Sequence, residues 1–222
     1  SAAITLGGGR MDLTLETAGI SPIANLMIDS LPVGVLADIT AMPATQGMIS
    51  GTADLRERDG IWRGDAEFAA TGLLTSDLPD MPALDLVFEA SLQDNAHSVL
   101  NLTGGGLVAR AEINRAGATT DIARPHGDAD AALSGRIEAD GELMALAALF
   151  LPSDILLESG QVDAGLTVSG TVSAPHLDGE LALRDGRINA TTAGSLISDL
   201  EMDLAMSGTR FELTRLSAND AR

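Results

Sequence analysis

Apolar and polar residues alternate along most of this chain with the period of a β-strand. The clearest stretch begins at Gly160. Val162, Ala164, Leu166, Val168 and Val172 fall on one side, and Gln161, Asp163, Thr167, Ser169 and Thr171 on the other. Ser173, Ala174, Pro175 and His176 break the pattern, since Pro cannot donate to a ladder. Leu177, Gly179, Leu181 and Leu183 restart it against Asp178, Glu180 and Arg184, and Arg184-Asp185-Gly186-Arg187 reads as the next turn.

The same period recurs elsewhere. Met11, Leu13 and Leu15 oppose Arg10, Asp12, Thr14 and Glu16, after a Gly7-Gly8-Gly9 turn. A strand is predicted over 47–55, followed by a turn at 56–60. Trp62, Gly64, Ala66, Phe68 and Ala70 form the apolar side of the next strand, and Leu84, Leu86, Phe88, Ala90 and Leu92 that of another. Shorter strands follow near 98–103 and 107–114. Ala129, Ala131, Leu133, Gly135, Ile137 and Ala139 make one more face, and the last strands are 196–206 and 210–216. About a dozen strands are expected, several longer than the usual five or six residues.

Two segments depart from this period. Ser21-Pro22 resembles an N-cap with Pro at the first helical position, and Ile23, Leu26 and Met27 follow at helical spacing, so a short helix is expected over 22–29. Asp140 caps a second over 142–150, with Leu143, Leu146, Ala147 and Phe150 at i, i+3, i+4 and i+7. Leu31-Pro32 and Leu151-Pro152 close them. A G-x-x-x-L-R strand start also occurs twice, from Gly51 and from Gly179. The chain therefore reads as one elongated repeat-built segment, 1–222, with possible units 1–125 and 126–222.

Every amphipathic strand must hide one face. Two closures meet that demand: a closed β-sandwich, or one long antiparallel sheet that bends and leaves an apolar groove. A dozen strands at ~4.8 Å spacing would make a groove on the order of 50–60 Å.

The run S-G-T-x-x-x-P-x-L-x-G-x-L-x-L-x-D-G-x-I over 169–188, with its continuation Phe211-Glu212-Leu213-Thr214-Arg215-Leu216-Ser217-Ala218, resembles the repeats of the TamB family of AsmA-like periplasmic bridge proteins. The resemblance is best over 142–218. It implies an all-β, bent antiparallel sheet (a β-taco) with a hydrophobic groove, here carrying the two short helices. It implies passage of phospholipid between inner and outer membranes, and support of outer-membrane protein assembly with a TamA-like barrel and outer-membrane client proteins as partners. It also implies a periplasmic location within a longer protein anchored in the inner membrane. Groove lining is expected from Leu86, Phe88, Leu133, Ile137, Leu166, Val168, Leu181, Leu183, Leu200, Met202, Leu204 and Met206. Phospholipid acyl chains would be the ligand; each CH₂ left in water costs about 0.8 kcal/mol. Without the resemblance, the same residues read as plain core.

Composition narrows the partners. Net charge is −19, and aromatics are 2%. All 13 basic residues are arginine, and there is no Cys or Tyr. Such a chain is a poor nucleic-acid binder and a poor match for anionic headgroup surfaces. Without Cys it has no disulfide or thiolate metal site. No apolar run approaches the ~18 residues of a membrane span. Alternation is already under way at both ends, so a segment of a longer protein is expected.

Little in the sequence points to catalysis, and no enzyme activity, cofactor or metal is expected. His97, His126 and His176 sit in loop-like contexts without triad or zinc spacing. Asp128 and Asp130, and Asp199, Glu201 and Asp203, share strand faces and could offer oxygens to Ca²⁺; a wet face that resists edge pairing explains them more simply. Asp163 and Asp178 are the carboxylates to test as a glycosidase pair, in a carbohydrate-active alternative. A further alternative is a scaffold whose sheet edge receives client strands by β-augmentation.

Overall fold

The computed structural model describes residues 2–6, 8–16, 21–34, 45–75, 82–119, 129–148, 155–190 and 195–220. The chain is all-β. Its strands are β1 (Ala2–Leu6), β2 (Gly9–Glu16), β3 (Ile23–Pro32), β4 (Thr45–Arg58), β5 (Ile61–Thr75), β6 (Leu84–Leu92), β7 (Ala96–Gly104), β8 (Leu107–Arg115), β9 (Leu133–Glu142), β10 (Ile155–Gly170), β11 (Pro175–Ala190), β12 (Ser195–Ser207) and β13 (Arg210–Asp220). A short helix, α1 (Met144–Ala148), lies between β9 and β10.

The 13 strands form one sheet in strict chain order, each antiparallel to its neighbours. A sandwich needs two sheets, so the closed alternative is not the fold. β1 and β13 each have a single partner, so the sheet is open.

The sheet is also curled. The five residues of α1 touch both β10 and β5. Five strand spacings of ~4.8 Å would hold those strands roughly 24 Å apart if flat, while five helical residues span only ~7.5 Å. The 50–60 Å expected of the groove is therefore the contour of an arc. Accessible surface is 12650 Å², against about 9,600 Å² for a compact monomer of this mass. The excess of roughly a third is in the direction that an unlayered sheet requires.

Strong curl brings inner-facing backbones close, and glycines accommodate it. A Cβ on Gly51 would collide with the Phe68 ring and the Glu67 carbonyl. Gly179 takes φ 141°, and a Cβ there would strike the Gly165 carbonyl oxygen.

Two local expectations are corrected. Residues 22–29 are not a helix: Ile23–Pro32 is β3. Ala24, Leu26 and Ile28 pair with Leu55, Ala53 and Gly51 of β4, and with Leu15, Leu13 and Met11 of β2. Two flanking ladders outweigh a weak helical spacing. Residues 184–187 are not a turn either. β11 runs through them, with Asp185 at φ 52° and a register shift between Leu183 and Gly186. The Asp-Gly pair supplies a bulge inside a long strand. The expected second helix is α1, which begins two residues later than predicted because Glu142 still belongs to β9; 149–154, with Leu151-Pro152, lie outside the described residues.

Candidate functional site

All twelve expected lining residues stand on one face of the sheet, the concave one. Leu86 faces Ala70 and Leu102, and Phe88 faces Phe68 and Leu100. Ile137 faces Ala111 on one side and Leu166 on the other. Leu166 faces Gly179, and Val168 faces Leu177. Leu181 lies between Ala164 and Leu204, and Leu183 between Val162 and Met202. Leu200 stands opposite Gly186 and Met206 opposite Gly179. Leu133 stands opposite Arg115.

Side chains opposite one another across a ladder are ~4.5–5.5 Å apart at Cβ. The pairs therefore fuse into continuous apolar rows running across the strands. The sequence reading missed the last links: Met202, Leu204 and Met206 pass the rows on to Leu216, Leu213 and Phe211 of β13. Each of those three residues is exposed, at 62%, 51% and 58%.

Burial is uneven along this surface. Leu166, Val168 and Leu183 are buried, while the other nine expected residues are half-buried. The tightest packing lies at one end of the strands. Leu31, Leu84 and Leu107 are almost wholly enclosed there. Helix α1 covers that end: Ala145 is buried, and a Cβ built on Gly105 would lie 3.0 Å from its Cβ. Toward the opposite end the trough widens into a cavity of 520 Å³. Leu55 of β4, Phe88 and Leu92 of β6, Ile113 of β8, Leu133 of β9 and Val172 from the β10–β11 turn share it.

The convex face carries the charge. Asp203 pairs with Arg184, and Glu201 with Arg215. Asn219 Nδ2 donates to Asp199 at 3.0 Å. The carboxylates of that stripe thus have cross-strand donors, and among the described residues no group of three or more His, Cys, Asp or Glu could hold a metal ion. Asp128 and His126 lie outside the described residues. His97 is hydrogen-bonded to Asn114 across β7 and β8 at 2.8 Å, on the convex side. His176 is exposed at the start of β11.

Asp178 is opposite Thr167, four residues from Asp163 along β10. That register puts the two carboxylates roughly 13 Å apart, outside the spacings glycosidases use. Asp178 instead accepts the Gly208 N–H at 3.0 Å.

Glu158 lies across β10 and β11 from two donors. Asn189 Nδ2 donates at 2.9 Å and Arg187 Nε at 2.7 Å. These bonds, the Asn189 bond first, hold its carboxyl below the ordinary glutamate range.

The arrangement offers a long aliphatic surface, polar outside and partly open inside. Comparison with known proteins finds no matching family model, curated protein or solved structure. Among the described residues, no helix is long and apolar enough to cross a membrane.

Proposed function

We propose that this chain is a periplasmic, TamB-like segment whose concave face carries phospholipid acyl chains between the inner and outer membranes. One observation carries the reading: apolar rows cross a 13-stranded sheet over which the described residues place no second sheet. An aliphatic surface of this kind removes the ~0.8 kcal/mol cost of each exposed CH₂ along its length. Leucine, valine and methionine suit a chain that must slide. Through the full-length protein, the partners would be a TamA-like outer-membrane barrel and outer-membrane client proteins.

Native mass spectrometry of the purified chain, with lipid extraction, tests this. The wild type is expected to carry phospholipid. Leu204→Asp, at a half-buried position opposite Leu181 and Leu213, is expected to fold by circular dichroism and to lose it. A folded wild type without lipid, even after incubation with phospholipid vesicles, rejects the reading.

A second reading rests on β13. Its outer backbone edge is unpaired, and Phe211, Leu213 and Leu216 are exposed beside it. Such an edge can accept a client strand by β-augmentation. Peptide binding that is lost on β13 substitution but indifferent to Leu204→Asp would favour it.

A further inference from the structure

Arg115 interrupts the apolar face. It ends β8 on the same side as Leu107, Ala109, Ala111 and Ile113, opposite Leu133 and Ala96. It is only 7% exposed and lines the 520 Å³ cavity. Eight other arginines hold carboxylates within ion-pair distance. Arg56 and Arg58 extend into solvent. Arg115 alone, among the described residues, is both buried and without an ion pair.

Its Nη2 donates to Thr119 Oγ1 at 2.6 Å. Thr119 is itself buried and is fixed by the Trp62 backbone N–H, which donates to its carbonyl at 2.7 Å. Among the described residues Thr119 is its one side-chain partner, and none of its other nitrogens is both fully buried and unpartnered, so the donors left over are those that reach the open side of the cavity. A buried charge without a counter-charge is expensive, and this chain has 32 acidic residues that could have supplied one. Glu57 shares the concave face but forms no ion pair with it. An oxyanion entering from the trough would complete the fork with parallel, charge-assisted bonds.

We propose that Arg115 is the head-group anchor for an amphiphile, an aliphatic chain ending in a carboxylate or phosphate oxyanion, whose tail lies against Phe88, Leu92, Ile113 and Leu133. This rests on the apolar trough being open to lipid, as proposed above. The cavity lies within the range of small-molecule sites, about 300–1,000 Å³, and its walls apart from Arg115 are mainly aliphatic.

Trp62 is the only tryptophan, and its link to Thr119 makes its fluorescence a reporter of the site. Palmitate, palmitoyl lysophosphatidate, hexadecanol and inorganic phosphate would each be titrated below their aggregation limits. Native mass spectrometry would give the stoichiometry. Wild type, Arg115→Met and Arg115→Lys would be compared, each checked for folding by circular dichroism. The two anionic amphiphiles are expected to bind wild type about tenfold or more tightly than hexadecanol. Arg115→Met is expected to bind all three alike, and Arg115→Lys to recover part of the preference. The ratio of palmitate to lysophosphatidate affinity would identify which head group is favoured. Equal binding of hexadecanol and the anions by wild type would overturn the anchor while leaving the apolar trough in place. An anion preference that persists in Arg115→Met would overturn it as well. Absence of all amphiphile binding would overturn both the anchor and the conduit. Phosphate binding alone, lost in Arg115→Met, would make this a free-anion site and overturn the amphiphile.

Discussion

Single residues on the concave face differ in how much they matter to folding. Leu166 is buried between Ile137 and Gly179, so Leu166→Ala is expected to cost about 2–4 kcal/mol in urea unfolding. Leu213 is 51% exposed, so Leu213→Ala is expected to cost under about 1 kcal/mol. Glu158 adds a pH dependence. Its folded carboxyl titrates below its unfolded value, so its contribution is complete above the unfolded value and fades as pH falls through the folded one. The melting-temperature gap between wild type and Glu158→Gln is expected to be constant near neutrality and to close in acid. That the aliphatic residues share one face was readable from alternation alone; a groove-lining role for them came only from the family resemblance. Arg115 was readable too, because it occupies the next alternate position after Ile113. It was passed over because the strand was read as ending at 114, one residue short of it. Only the closing segment at Thr119, tied to β5 by a backbone bond, shows that this end is enclosed.

Elements were legible to the extent that local patterning decided them. β6 was read residue for residue, because Leu84, Leu86, Phe88, Ala90 and Leu92 alternate without interruption on one face. β3 was not, because Ile23, Leu26 and Met27 satisfy helical spacing while Ala24 and Ile28 satisfy strand spacing in the same ten residues. What settles the choice is hydrogen bonding to β2 and β4, which no single window contains. β11 was cut short at its Asp-Gly pair for a similar reason: turn chemistry also serves a bulge. At the far edge, β13 combines an unpaired backbone with exposed Phe211, Leu213 and Leu216. Edge strands of that kind self-associate. Sedimentation velocity is expected to show concentration-dependent oligomers for the wild type, reduced in a Leu213→Lys, Leu216→Lys double variant.

For the molecule as a whole, alternation required only that one face be hidden. It did not distinguish two facing sheets from one curled sheet, because both impose the same period on every strand. The difference lies in the order of pairing, which here never departs from chain order. Without a second layer the molecule should be extended. Small-angle scattering is expected to give a radius of gyration above the ~17 Å of a compact chain of this length. Hydrogen exchange is expected to be slowest in β10 and β11, the longest ladder, and fastest at β1 and β13.

Pairing in chain order also bears on how the polypeptide is made. No strand waits for a partner that has yet to emerge. A new hairpin closes in about 1–10 μs, whereas a ribosome adds ~5–20 residues per second. Each strand can therefore dock on its predecessor as it appears, and an emerging chain leaves unpaired only the outer edge of β1 and one growing margin. A polypeptide delivered N-terminus first, at synthesis or through a translocation pore, could assemble row by row without ever holding a long unfolded tail.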